Sequence, residues 1–224
     1  MNISIVVSRY NEKLEWTMLE PFNKYKYIVY NKGPNDDFEK QNVEQIINLP
    51  NVGREGHTYL YHISTNYDKL SDIIVFLPGS LSLEYKLDKA KKLLENIEQH
   101  NAAIFLGEYT TSIYDTFKDF KLEKWQSTST ENKSINNESN LQLSPYRPYG
   151  KWYKYLFGNI TANWFTYWGI FSISKHDILQ HPKKRYELLT DILSRSSNPE
   201  SGHYIERSWS VIFHPIRYTK CINY

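Results

Sequence analysis

The chain has a single cysteine in 224 residues, Cys221, so an intramolecular disulfide is excluded and a cysteine-built zinc site cannot form. It lacks any apolar run of membrane-spanning length, and no charged-then-apolar signal segment stands at its start. Net charge is nearly absent as well: a balance of +2 demands neither nucleic acid nor an anionic membrane as partner. Histidines at metal-binding helical spacing are missing, because His57 and His62 do not stand at i, i+4 and His203 and His214 are too far apart for one helical face. Together these absences predict a soluble, cytoplasmic protein with no transmembrane segment, no nucleic-acid partner and no resident zinc. Oligomeric state is not legible in any of them.

What is present in excess is aromatic. The share is 16%, with 19 Tyr, and such rings suit stacking on sugars and bases as readily as ordinary core and rim packing. The length fits one domain with a substantial core.

Strand signals come first. Ile3-Ser4-Ile5-Val6-Val7 is a β-branched run of the kind buried on both faces of a parallel sheet, and it leads into Ser8-Arg9-Tyr10-Asn11-Glu12. Tyr27-Ile28-Val29-Tyr30 ends the same way in Asn31-Lys32-Gly33, and open α/β sheets place ligands at such carboxyl ends. Further strands are expected at 73–77, 102–106 and 167–173. Helices are expected over 12–22, 38–49, 57–68, 88–100, 182–193 and 204–213. This alternation predicts an α/β fold with a mixed, mainly parallel sheet flanked by helices. Residues 127–140 are almost wholly polar and read as a mobile insertion in a single domain spanning 1–224.

Five islands recur in order: Val7-Ser8-Arg9-Tyr10-Asn11-Glu12, Tyr30-Asn31-Lys32-Gly33, Asn51-Val52-Gly53-Arg54-Glu55, Phe76-Leu77-Pro78-Gly79 and Gly202-His203-Tyr204-Ile205-Glu206-Arg207-Ser208-Trp209. In this the chain resembles, over nearly its whole length, a little-characterised family of short proteins grouped with GT-A-like glycosyltransferases. Members occur in fungi, other eukaryotes, bacteria and large DNA viruses. The resemblance implies a single GT-A-like domain that moves a sugar from a nucleotide-sugar donor to a glycan or other hydroxyl acceptor. Ser8, Arg9, Tyr10, Asn11, Asn31, Lys32, Gly33, Gly53, Arg54 and Gly79 would hold donor. Glu206 would be the catalytic base, near the start of the last helix, with Trp168, His203 and Arg207 as phosphate or acceptor contacts.

One departure from that wider fold stands out. Where Asp-x-Asp would chelate a divalent metal, this chain reads Phe76-Leu77-Pro78-Gly79-Ser80. No cofactor is fixed beyond the nucleotide-sugar donor and a divalent metal stays open, a metal-free site with Arg9, Lys32 and Arg54 supplying charge being one option and a glycan- or nucleotide-binding module without catalysis another. The block 146–155 interleaves Arg147, Lys151 and Lys154 with tyrosines and a tryptophan; it reads as a lid whose Arg147 and Lys151 close over phosphates, with single-strand binding or plain packing on the sheet as rivals. Structural readings also stand beside the others: Asn11 and Glu12 as a helix cap, Arg54 with Glu55 and Glu206 with Arg207 as docking pairs.

Overall fold

The structure, a computed structural model, describes residues 1–124 and 141–224; the polar stretch 127–140 lies outside them. In chain order the first half runs β1 (Ile3–Arg9), β2 (Tyr27–Asn31), β3 (Val43–Asn48), α1 (Arg54–Thr65), β4 (Ile73–Pro78), α2 (Glu84–His100), β5 (Ile104–Tyr109) and α3 (Ile113–Phe117). The second half runs β6 (Leu141–Gln142), α4 (Tyr149–Phe157), β7 (Trp164–Phe165), β8 (Phe171–Ser174), α5 (Lys175–Leu179), α6 (Lys183–Leu193), β9 (Asn198–Pro199), α7 (Glu200–Arg207), α8 (Trp209–Ile212) and β10 (Lys220–Asn223).

The main sheet has the order β3-β2-β1-β4-β8. Its first three pairings are parallel and only β4–β8 is antiparallel, so the sheet is mixed and mainly parallel. A smaller sheet, β10-β5-β7, lies alongside. Ser172 joins the two where the ladder stops: its hydroxyl accepts the Ile104 N–H at 2.7 Å and donates to the Ile104 carbonyl at 2.9 Å.

Alternation explains why the sheet is covered on both sides. Val6, Ile74 and Phe76 point into one core layer with Tyr59 and Leu60 of α1, Leu189 of α6 and Ile205 of α7. Ile5, Val7, Val75 and Leu77 point into the other, with Leu93, Leu94 and Ile97 of α2. Each strand feeds both layers, which is why β1 and β4 read as unbroken apolar runs. Among the described residues, no helix is long and apolar enough to cross a membrane.

Four sequence expectations are corrected. Residues 12–22 form no α-helix but two 3-10 turns, Glu15–Met18 and Phe22–Lys24. Leu14 sits in the left-handed region at φ 59°, and Trp16 turns inward to donate its indole N–H to the Gly79 carbonyl at 2.9 Å. Residues 38–49 are not helical either; the helix-like spacing of Val43, Ile46 and Ile47 belongs to the edge strand β3, whose backbone pairs with β2. The strand expected over 167–173 is confined to β8, because Trp168 and Gly169 are both left-handed, at φ 67° and 64°. The last expected helix begins earlier, at Glu200, and breaks at Ser208, so Glu206 lies near the end of α7 rather than near its start.

Phe76 is fully buried, with ring centroids 4.6 Å from Tyr59 and 5.2 Å from Phe171. Phe76→Ala is expected to cost about 3–5 kcal/mol, read as a lowered midpoint in urea unfolding with the slope unchanged.

Candidate active site

A cleft of about 370 Å³ opens at the carboxyl ends of β1 and β4. Five cationic side chains (Arg9, Lys32, Arg54, Lys86, Arg207) and three carboxylates (Glu12, Glu55, Glu206) line it, with Tyr10, Tyr85, Phe120, Tyr167 and Trp168 as its aromatic part. The charged groups come from the ends of β1 and β2, the start of α1, the first turn of α2 and the end of α7, with Tyr167 and Trp168 on the approach to β8.

Two of the cations are committed to the scaffold. Arg9 is 1% exposed, and each of its five N–H donors meets protein oxygen. Nε donates to the Glu12 carbonyl at 2.8 Å, Nη1 to Asn31 Oδ1 at 2.7 Å and the Asn35 carbonyl at 2.6 Å, and Nη2 to Asn35 Oδ1 at 3.0 Å and the Asp37 carbonyl at 3.5 Å. The guanidinium also stacks 4.5 Å over Phe38. Lys32 donates to the carbonyls of Val52 and Arg54, and burial draws its pKa down to about 7.

Lys32 thereby grips a strained turn. Gly53 and Arg54 are consecutive left-handed residues, at φ 60° and 53°. Glycine is required at the first: a Cβ there would lie 2.6 Å from the Cβ atoms of His57 and Leu193. Arg54 holds a conformation that side chains rarely adopt, and such strain collects at functional sites. A second left-handed pair, Trp168-Gly169, packs against Glu55, the residue that follows the first. Its Trp168 N–H donates to Glu206 Oε1 at 2.8 Å, and its Gly169 carbonyl accepts from Tyr59 Oη at 3.0 Å.

The three carboxylates differ in state. Burial raises the Glu206 pKa above the ordinary value; the charge of Glu55 adds to the shift, and Arg207, Arg54 and the Trp168 N–H only partly oppose it. Burial also acts to raise Glu55, but Arg54, its own backbone amide, Lys86 and Lys32 outweigh this and hold it below the ordinary range. Glu12 Oε2 accepts the N–H groups of Tyr10 and Asn11 at 2.7 and 3.1 Å. A neighbouring pair pushed apart in this way, one carboxyl up and one down, is the arrangement from which acid–base catalysts are made.

Arg207 Nη1 donates to the His203 carbonyl at 2.9 Å and lies 3.5 Å from Glu206 Oε2, while its guanidinium sits 3.9 Å over Phe120. Its buried Nε has no hydrogen-bond partner among the described residues. His203 is kept neutral by burial and by the charges of Arg54 and Arg207.

Of the residues singled out in the sequence, Ser8, Arg9, Tyr10, Lys32, Arg54, Trp168, His203, Glu206 and Arg207 line the cleft. Asn11, Asn31, Gly33, Gly53 and Gly79 stand behind them; Asn31 and Gly53 shape the walls, and Gly33 packs so close to the Tyr10 carbonyl that a Cβ would lie 1.6 Å from it. Arg147 and Lys151 are not among the lining residues. Arg147 is drawn to the buried Glu200, 3.2 Å away, and to Glu123 at 3.4 Å, while Lys151 is exposed on α4. The lid reading of 146–155 meets an obstacle in α4 itself, because Tyr149, Trp152 and Tyr153 are core residues. Glu12, Glu55, Ser80 and Lys86 were missed. The first two sit inside the sequence islands; Lys86 gave no local signal.

No group of three His, Cys, Asp or Glu side chains suited to a metal ion occurs among the described residues. After β4 the chain presents the Ser80 hydroxyl and the Lys86 ammonium, hydrogen-bonded at 2.8 Å, and an ammonium is not a donor set for a divalent cation.

A family described as "Protein of unknown function (DUF3431)" matches residues 5–224. A search of curated proteins found no match. Among solved structures, CMP:2-keto-3-deoxy-manno-octonic acid synthetase complexed with CTP is similar at 12% identity and a TM-score of 0.41, over 100% of this chain and 90% of that one.

Gly53→Ala is expected to destabilise the protein by roughly 1–3 kcal/mol, through a forbidden φ and the collision with Leu193. Denaturant unfolding of the variant measures it, and an unchanged midpoint would contradict the strained-turn account.

Proposed function

We propose that this chain, which belongs to the DUF3431 family of unknown function, transfers a sugar from a nucleotide-sugar donor to a hydroxyl acceptor with inversion at the anomeric carbon. The observation that carries this reading is Glu206: a half-buried carboxylate fixed by the Trp168 N–H, with a raised pKa, in a cation-rich cleft at the carboxyl end of a mainly parallel sheet. Transfer with inversion needs one base to take the acceptor proton and positive charge to receive the leaving diphosphate.

In the step itself, the acceptor oxygen attacks the anomeric carbon as its proton passes to a Glu206 carboxylate oxygen. The bond from that carbon to the diphosphate oxygen breaks, and its electron pair stays on the phosphate. Arg54, Lys86 and Arg207 supply positive charge to the cleft in which that charge develops. Trp168 N–H holds Glu206 in one orientation, and the Trp168 ring, edge-on to Tyr85 at 4.8 Å, gives a flat apolar surface for a sugar or base. Arg9, Asn31 and Gly33 contribute by shaping the donor wall. No step is routed through a metal.

A thermal-shift panel of UDP-, GDP- and CMP-sugars tests the reading first, since a ligand that binds only the native state raises its apparent stability. One series is expected to stabilise the protein, and Glu206→Gln is expected to retain that shift while losing turnover by roughly 10²–10⁴-fold. If Glu206→Gln turns over like the parent, Glu206 is not the base; if no nucleotide-sugar binds, the transferase reading gives way to a binding module for glycans.

The pH profile supplies a second test. Glu206 must be deprotonated to act, so kcat/KM is expected to fall as pH drops through a pKa above the ordinary glutamate value of 4.5. Glu55→Gln removes a like charge and is expected to move that acid limb to lower pH. An acid limb that stays fixed in Glu55→Gln would show that the two carboxylates do not interact.

A further inference from the structure

Lys86 occupies an unfavourable place. It lies in the first turn of α2, where unpaired backbone N–H groups already carry partial positive charge and a cation is disfavoured. Its side chain lines the cleft yet is only 9% exposed. The ammonium donates to Ser80 Oγ at 2.8 Å, which occupies one of its three donors. Burial lowers its pKa, while the more distant charges of Glu55, Glu12 and Glu206 act in the opposite sense. A buried ammonium whose close partner is a neutral hydroxyl is costly to keep, and an anionic group entering the cleft would offset both its burial and its position on the helix dipole.

The location sharpens the point. Ser80 stands two residues after β4, whose end pairs with Ser8 of β1, so the Lys86 ammonium is held at the strand ends where the cleft opens. Arg54 is close enough for its charge to act on Lys86. Of the cations in the cleft, Arg9 and Lys32 hold backbone carbonyls of the scaffold, whereas Lys86 holds none.

We propose that Lys86, steadied by Ser80, binds the diphosphate of the cleft's ligand directly and takes the place that a divalent cation would otherwise fill. This rests on the transferase reading only for its catalytic consequence: when the bond from sugar to diphosphate breaks, the electron pair left on the phosphate oxygen strengthens the hydrogen bonds from Lys86, and no proton changes hands. As a binding site for a diphosphate it stands without that reading.

The test is isothermal titration of the full chain with inorganic pyrophosphate, in EDTA and in Mn²⁺, for the parent, Lys86→Met, Lys86→Gln and Lys86→Arg, each with its thermal midpoint. The parent is expected to bind pyrophosphate in EDTA. Lys86→Met is expected to lose roughly tenfold or more in affinity, the scale of one charge-assisted hydrogen bond, with its midpoint unchanged or raised because a buried charge is gone. Lys86→Arg is expected to restore binding in part, and Lys86→Gln answers the question if the methionine variant does not fold. Binding that is indifferent to Lys86, that requires Mn²⁺, or that is absent overturns the proposal. The two readings separate cleanly. Lys86-dependent pyrophosphate binding with no response to any nucleotide-sugar upholds the anion site and removes the transferase; nucleotide-sugar binding unaffected by Lys86→Met does the reverse.

Discussion

A guanidinium sealed from water at the end of β1 is the interaction on which the cleft depends. Arg9 reaches Asn31 at the end of β2, Asn35 and Asp37 in the loop beyond, and the Glu12 carbonyl in its own chain, so one side chain sets the relative height of two loops. A buried cation without partners would be prohibitive, and that penalty is what fixes the loops in one arrangement. Phe38, capped by the guanidinium, closes the far side. Lys32 follows from this placement: with the backbone after β2 held by Arg9, its ammonium falls beneath the turn at 52–54 and ties the wall from β2 to the entry of α1. A chain with Leu at position 9 would need a different loop at each of these points.

The cations of the cleft thus divide by what they hold. Arg9 and Lys32 tie loops that are remote in sequence and set geometry, whereas the main-chain oxygen that Arg207 holds, that of His203, lies one turn back in its own helix. Arg54, Lys86 and Arg207 are presented by that geometry. The same logic applies to the acids: Glu12 accepts two backbone N–H groups and shapes its own turn, whereas Glu206 takes one N–H and lies against the open space. Two left-handed pairs, 53–54 and 168–169, bring these groups into one volume from segments far apart in the sequence. The strain they store is repaid by tertiary contacts, which is the usual condition for such backbone to persist.

This division also explains what could be read in advance. β1, β2, β4 and β5 are legible because strands buried on both faces leave long β-branched runs, and α1, α2 and α6 are legible because each buries one stripe. β3 is not, since an edge strand with a mostly exposed pattern leaves only three apolar residues at a spacing that fits a helix as well. At the site, the islands could be placed because they follow strand ends, but the roles within them could not. Whether Arg9 grips a ligand or two loops depends on where Asn35 and Asp37 come to rest. Arg147 looked available for phosphate because its partner Glu200 is remote in sequence. Lys86 was silent for a related reason: in an amphipathic helix that also carries Lys89, Lys91 and Lys92, nothing local marks Lys86 and Lys89 as the two that turn inward.

The remaining question is why two acids and not one. Arg54 and Arg207 draw Glu206 toward its ionised form, and burial is the largest influence acting against them. Glu55 changes that balance. It pairs with Arg54, at 3.7 Å, absorbing part of the positive charge that would otherwise fall on Glu206, and its own negative charge raises the Glu206 pKa further. The neighbouring cations keep Glu55 itself ionised, so the proton, when it arrives, has one favoured destination. Gly169 belongs to the same device: its α-carbon packs where a side chain would press on the Glu55 methylene at 3.0 Å and the Tyr59 hydroxyl at 3.1 Å, so the turn that presents the Trp168 N–H to Glu206 also confines Glu55. In the proposed role, the base strength of Glu206 is therefore a property of the pair and of the turn between them, set first by burial and then by one neighbour's charge.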